Sequence, residues 1–570
     1  MKKSIRRMLA LGMAIVMSLA LAACAQPDSG NEFDDQQVDT SKTQLYVFNF
    51  NGGYGAAWLS ALKERYEELH KDDVFEEGKK GVQIVVNNNK GNADAFSSQI
   101  LSNRDEVYFT EYAYYYTLLQ SGILGDITEA VTGDLGAYGD PAGTTILSKL
   151  SDEQKEFYGV LGEDGEYHYY GVPHYAGYNG IVYNVDLFEQ EGYYFADGVE
   201  SSEFIEDYFI VRSTDKKSAG PDGKYDTYDD GLPANEDEFF LLCEYIASRG
   251  HTPISWNGSH HNDYLGDLGQ ALQANAEGAE QMKLNYSMNG EATSLGSVIN
   301  GEFVLDSAPT TLTAKNGYQV QRQAGKYYTL SFLEKLIKNE KYHGQLNFNS
   351  AYTHMNAQED FLYAGHDGGA TAPIAMLVEG IWWENEASAT FESMEDSMGS
   401  AFGRNSRRFA LMPLPKIGIA EAGENVMVEK LYSLCFMKAN IAEEKKALAY
   451  DFIMFANTNA SLVEFTQITN TPKNMNYTLT EEEMASLSPF GRSVFEVKQN
   501  STVIYPYSKE PVYVNQPGMF AAYAAWKSTV GGVFYNGPAM QFNENKLDAT
   551  AYFNGMLDYY SENWNQFKYE

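Results

Sequence analysis

From Thr43 to Val86 the chain runs through a buried strand, a tight glycine turn, an amphipathic helix and a second buried strand, and this order constrains the fold more than any other feature. Leu45-Tyr46-Val47-Phe48 is an apolar run without alternation, as expected of a strand covered on both faces. Asn51-Gly52-Gly53-Tyr54-Gly55 turns the chain, and Leu59, Leu62, Tyr66 and Leu69, three or four apart, stripe one face of a helix. Val82-Gln83-Ile84-Val85-Val86 follows as the second strand. Strands joined through a helix lie parallel, because the helix carries the chain back to the edge where it started. The alternation continues with a helix over 96–101, a strand over 107–110 and a helix over 112–120, so the class is α/β. No internal repeat of fixed period is present.

Ahead of this body, Lys2, Lys3, Arg6 and Arg7 precede an apolar run that ends Leu21-Ala22-Ala23-Cys24. The run is short for a bilayer span of about 20 residues, and small residues before a Cys suit signal-peptidase cleavage. The pattern resembles bacterial lipoprotein signals, in which Cys24 becomes the lipidated first residue; a secreted protein with an incidental Cys24 is the other reading. Residues 1–23 are then a signal peptide and 24–42 a lipidated Cys with an acidic tether. Such a protein sits on the outer face of the bacterial cytoplasmic membrane and touches it through the lipid only. With 78 acidic against 41 basic side chains and a formal charge of −37, the chain repels polyanions, so no nucleic-acid partner is expected. Cys243 and Cys435 are too few for a disulfide framework or a four-ligand zinc site and are expected to be buried thiols.

Later segments carry a family resemblance. Gly171-Val172-Pro173, Gly180-Ile181-Val182-Tyr183-Asn184-Val185-Asp186-Leu187-Phe188, Ala375-Met376-Leu377-Val378-Glu379-Gly380-Ile381-Trp382-Trp383, Phe409 to Lys416 and the helix 447–453 occur in an order that resembles the extracellular solute-binding proteins of carbohydrate ABC importers. The resemblance implies a two-lobed periplasmic-binding-protein-like fold (type II), with discontinuous lobes closing by a hinge over a solute. It implies chain crossings near 175–180, 374–380 and 429–435. Lobe one is then 43–177 plus 378–432, and lobe two is 178–377 plus 433–570 with an acidic loop insertion at 218–233. The implied partners are a carbohydrate ligand, an oligosaccharide by preference, and the permease subunits of an ABC importer, with the binding protein itself a monomer.

Candidate ligand contacts follow from residue chemistry, since sugar rings need aromatic faces and amide or carboxylate edges. Asn51, Tyr54 and Trp58 belong to the glycine loop and the helix it opens, although an ordinary tight turn with Trp58 in the core is equally open. Tyr175 and Tyr178 flank the first expected crossing, either lining the cleft or packing the hinge. Trp256 and Asn257 stand in a polar loop, Thr252 to Tyr264, where a large ring flanked by Ser, Asn and Gly points to a ligand. Adjacent His260 and His261 match no zinc spacing. Glu379 precedes Trp382 and Trp383, which point about 100° apart on a helix, so one ring at most faces the cleft squarely and the other packs inside.

The segment Gly220 to Pro233 places Asp222, Asp226, Asp229 and Asp230 close together among glycines. Oxygen-rich loops of this kind hold calcium, and a structural Ca2+ is expected here, with a solvated acidic turn as the alternative. The chain carries no nucleophile elbow, no H-E-x-x-H and no triad setting. A binding protein is therefore expected rather than an enzyme, with a sensory lipoprotein and a secreted carbohydrate-active enzyme as alternatives.

Overall fold

The computed structural model describes residues 36–90, 98–111, 113–199, 201–210, 215–366, 372–430, 432–516 and 525–567. Cys24, the leader and most of the tether lie outside them, as does part of the helix expected over 96–101.

The chain builds two main sheets. The first runs, edge to edge, Val82–Asn89, Thr43–Phe50, Val107–Thr110, Leu434–Met437 and Val172–Pro173. Its first three strands are parallel, and Leu434–Met437 runs against both neighbours. Leu45, Val47 and Phe48 are buried, as their apolar run predicts. Thr43 pairs with Val82 and Phe50 with Asn89, so the two strands end level and the glycine loop opens at their carboxyl edge. Helix Ala57–Leu69 covers the sheet with Trp58, Leu59, Leu62 and Tyr66, while Leu69 stands in solvent in the terminal turn. The helix expected over 112–120 is shorter, Tyr115–Gln120.

The second sheet runs Phe409–Met412, Asn179–Asn184, Ile374–Gly380, Thr252–Ser255. Every residue of Ile374–Gly380 is buried, which marks a central strand. It is antiparallel to Asn179–Asn184 and parallel to Thr252–Ser255. Helices His261–Ser287 and Ala324–Lys338 pack on each other beside this sheet, the first bent at Gly278, where φ is 73°.

These pairings correct the expected lobe borders. Phe409–Met412 lies beside Asn179–Asn184, so the piece around it belongs with 178–377 and not with the first lobe. Leu434–Met437 lies between Val107–Thr110 and Val172–Pro173, and the helix Asn459–Thr469 packs on Ala57–Leu69, so residues beyond 433 return to the first lobe. Helix Pro489–Gln499 then packs on Phe409–Met412, and Ala549–Asn563 packs on Ala324–Lys338. Among the described residues the chain therefore crosses between sheets at 174–178, at 429–433 and again after Thr469, and the later helix Pro511–Asn515 comes back to pack on Tyr115–Gln120. The expected crossing at 374–380 is instead the middle of the second sheet.

The three crossings are stitched together by hydrogen bonds. The Gly177 amide donates to Glu429 Oε2 at 2.8 Å, and the Lys430 amide to the Gly177 carbonyl at 2.9 Å. Ala176 donates to the Pro472 carbonyl at 3.1 Å, and Asn474 to that of His174 at 3.2 Å. The first connection thus bonds to both of the others and ties them together.

Candidate ligand-binding cleft

Loops at the carboxyl ends of parallel strands are where open α/β sheets place their ligands. In the first sheet these loops present Asn51, Gly52 and Gly53, with Glu111 following Val107–Thr110. Opposite them, the second sheet presents Glu379 near the end of Ile374–Gly380 and Trp382 and Glu386 just beyond it. The half-buried indole of Trp382 lies between two glycines. A Cβ on Gly53 would sit 2.6 Å from it, and one on Gly380 2.3 Å. Glycine is required at both places by this close approach. Lys430, from the second crossing, holds its ammonium 5.5 Å from the same ring and pairs with the buried Asp267.

Carboxylates dominate the polar part. Glu379 Oε1 accepts from the Tyr264 hydroxyl at 3.2 Å and from Gln358 Nε2 at 3.0 Å, and its Oε2 accepts from the Gly380 amide at 2.7 Å. Gln358 Nε2 also donates to Glu386 Oε2 at 2.9 Å, bridging the two acids. Burial, reinforced by the charge of Glu386, pushes the Glu379 carboxyl up to about 8. Glu111 is pushed up to about 7 by burial, against the Tyr175 hydroxyl that donates to it at 2.5 Å, and Glu386 again adds to the rise. Asn179 Nδ2 donates to Asp267 at 3.2 Å.

Next to Lys430, Tyr432 borders a narrow ring-lined pocket, with room for little more than a water molecule, formed also by Tyr114, Tyr116, Phe157, Tyr507 and Tyr513. The Ala113 amide donates to the Tyr432 carbonyl at 3.2 Å, so this pocket continues from the segment that carries Glu111.

Most of the rings singled out in the sequence lie elsewhere. Tyr54 is buried, its ring 4.2 Å from that of Tyr175 and its hydroxyl donating to the Ala176 carbonyl at 2.5 Å. Trp58 is buried against Phe109, His174 and Phe465, and Tyr178 is buried in the hinge, so both take the packing alternative. Trp256 is fully buried against His343 and Phe348, because the 343–349 segment covers the polar loop from outside. Asn257 accepts from the Ser259 hydroxyl at 2.8 Å and the His260 amide at 3.2 Å, organising the start of helix His261–Ser287. Trp383 sits in a cage of Phe361, Phe391, Phe409 and Phe490. Of the expected set, the structure brings Asn51, Glu379 and Trp382 to the cleft, while Tyr175 packs its ring in the hinge among Tyr54, His174 and Phe465 and reaches Glu111 only through its hydroxyl. Glu111, Tyr264, Asp267, Gln358, Glu386, Lys430 and the tyrosine pocket were missed. The one legible signal for them was the density of tyrosine in Tyr114-Tyr115-Tyr116 and in Tyr505, Tyr507 and Tyr513.

The acidic loop closes on itself. Asp229 is buried and accepts from the Asp222 amide at 2.9 Å and from Thr227 Oγ1 at 2.8 Å. Asp230 accepts from the Asp226 amide at 2.9 Å, and Asp226 adopts a left-handed φ of 60°. Among the described residues no group of three or more His, Cys, Asp or Glu is placed to hold a metal ion. The carboxylate oxygens of Asp222, Asp229 and Asp230 accept from the loop's own donors. Cys243 and Cys435 are both buried free thiols.

Residues 52–230 match the family model described as bacterial extracellular solute-binding protein. No curated protein matches the chain by sequence. Solved structures match it along most of its length at low identity. A chitin oligosaccharide binding protein shares 15% identity, covers 92% of this chain and 100% of its own, and superposes with a TM-score of 0.50. A solute-binding protein in complex with raffinose gives 13%, 92%, 100% and 0.51. A cyclic alpha-maltosyl-1,6-maltose binding protein from Arthrobacter globiformis gives 12%, 92%, 100% and 0.52. The likeness is one of fold: the chain has the two-lobed α/β architecture of these proteins, as expected from its sequence.

Proposed function

Starting from a chain that matches bacterial extracellular solute-binding proteins over residues 52–230 and shares their fold along most of its length, we propose that it captures an oligosaccharide between its two sheets for an ABC importer. The observation that carries this reading is the meeting, at one cleft, of a half-buried tryptophan and a row of carboxylate and amide acceptors. Sugar rings pack their C–H faces on aromatic planes and place hydroxyls against such acceptors. The family is one of binding proteins, and we read this chain as a binder and not a catalyst.

Acylation of Cys24 would tether the body to the outer face of the membrane, and since one acyl chain anchors only weakly, two are needed. Cys24→Ser is expected to release the protein to the medium or leave it uncleaved; unchanged membrane association and fatty-acid labelling would refute the anchor.

The binding test is a thermal-shift screen of mono- and oligosaccharides followed by calorimetry. A ligand held at 100 times its Kd stabilises by about 2.7 kcal/mol, a clear rise in Tm. Chromatography of the recovered sugar checks that it leaves intact. A panel in which no saccharide shifts Tm would sink the proposal.

A further inference from the structure

The polar end of the cleft is rich in acceptors and poor in donors. Glu379 and Glu386 take both hydrogens of a single amide nitrogen, that of Gln358. Gln358 is 1% exposed, and its Oε1 is buried without a hydrogen-bond partner. Turning the amide over would take its N–H from Glu386 and aim the oxygen at that carboxylate, so the observed orientation is the one Glu386 dictates, and it leaves an acceptor in need of a donor. Asn179 Oδ1, bound through its own amide nitrogen to Asp267, is a second buried acceptor without a partner. Glu111 adds a carboxylate from the opposite sheet. The cations that act on Glu111 are Lys430, which pairs with Asp267, and the exposed Lys90. Among the described residues no Lys or Arg forms an ion pair with Glu111, Glu379 or Glu386.

A buried acceptor left unsatisfied costs free energy that a ligand donor recovers, and carboxyls that burial and a neighbouring carboxylate keep protonated ionise when a cation is seated among them, which favours a cation most. A neutral hydroxyl donates one hydrogen; a protonated amine donates up to three and cancels charge. A uronate would add a further anion to the row. We propose that this cleft selects saccharides bearing a protonated amine, seated against Glu379, Glu386 and the free oxygen of Gln358, over neutral or acidic ones. This rests on the saccharide reading above and narrows it.

The test is calorimetry with four probes of equal length: a glucosamine oligomer with free amines, its N-acetylated counterpart, a neutral glucan and an oligouronate. The protein forms are the wild type, Glu386→Gln and Glu379→Gln/Glu386→Gln, each checked for an intact thermal transition. The expected result is at least a tenfold preference for the free amine over its acetylated counterpart, weakened by salt, falling several-fold in Glu386→Gln and close to unity in the double variant. Glu386 is half-buried and its glutamine keeps the shape, so the single variant decides the matter if the double one does not fold. Equal or tighter binding of the acetylated, neutral or uronate probe overturns this proposal and leaves the saccharide reading standing. A preference unchanged in Glu386→Gln overturns it as well. Binding of none of the four overturns both.

Discussion

At the scale of single residues, burial separates look-alike tryptophans. Trp382 and Trp383 are adjacent, yet one is half-buried at the cleft and the other fully enclosed, which the 100° step of a helix anticipates. Trp256 looked ligand-facing only because its sequence neighbours are polar; the segment that covers it comes from about 90 residues further on, a contact no local pattern announces. Trp256→Ala is therefore expected to cost about 3–5 kcal/mol of stability while leaving sugar affinity nearly unchanged in the folded fraction. Trp382→Ala should do the reverse, losing about 2 kcal/mol of binding, roughly thirty-fold in Kd, with a small change in Tm. Paired calorimetry and thermal melts check both. Glu379 supplies a pH signature. Its carboxyl titrates at about 8 in the folded protein against an ordinary 4.5, so between those values the folded state holds the extra proton and stability falls as pH rises. Glu379→Gln lacks that proton exchange, and relative to wild type it should gain stability from pH 5 to pH 8 by about 1 kcal/mol or more. Parallel melts at the two pH values that show no relative change would contradict the assignment.

At the scale of elements, what the sequence conveyed was local. The strand–turn–helix–strand unit at 43–89 and the apolar strands 107–110, 179–184 and 374–380 are found where the hydrophobic pattern puts them. Which sheet each strand joins was not conveyed, because an apolar run such as Leu434-Cys435-Phe436-Met437 carries no address for its partner at Val107–Thr110, more than 300 residues earlier. The same holds for the cleft: Glu111 and Glu386 are ordinary loop and helix-end acids until folding sets them opposite each other. The third crossing, near Lys473, was likewise silent. Lys473 is buried, its ammonium 2.6 Å from His174 Nδ1 and 4.2 Å from the centre of the Phe465 ring. Burial pulls the Lys473 ammonium down to about 7 and holds the His174 imidazolium well below its usual range. Between pH 7 and 10.5 the folded state has released a proton that the unfolded chain keeps, so this group makes stability rise with pH there. Lys473→Met should flatten that rise and, at pH 7 and below, should be neutral or stabilising by about 1–4 kcal/mol because no buried charge remains to desolvate. Denaturant melts of the two proteins across pH 6–10 decide it; a Met variant destabilised at every pH would show that the ammonium contributes more through its ring and histidine contacts than its burial costs.

At the scale of the whole molecule, connections bonded along one seam through residues 174–177 make rotation of the sheets about that seam the expected motion. The cleft lies beside the seam, since Lys430 and Tyr175 belong to the crossings themselves while Glu111 and Glu386 approach from the two sheets. The contact that reports on closure is the indole of Trp382, from the second sheet, lying on Gly53 of the first sheet's glycine loop. Any side chain at 53 would occupy the ring's space, its first carbon already within 2.6 Å of the indole. Gly53→Val should therefore leave the fold of each sheet intact and hold the sheets apart, because the loop itself is half-buried and the new methyls point at the partner sheet and not into the core. The ligand-free variant is expected to melt within about 1 kcal/mol of wild type, as substitutions away from cores do. Sugar affinity should fall at least tenfold, since the ring from one sheet and the acceptors from the other no longer meet around one solute. Small-angle scattering at saturating sugar should then show a radius of gyration that shrinks in wild type and stays larger in the variant. Equal affinity and equal compaction in both proteins would mean that Trp382 does not close on Gly53 when the solute binds.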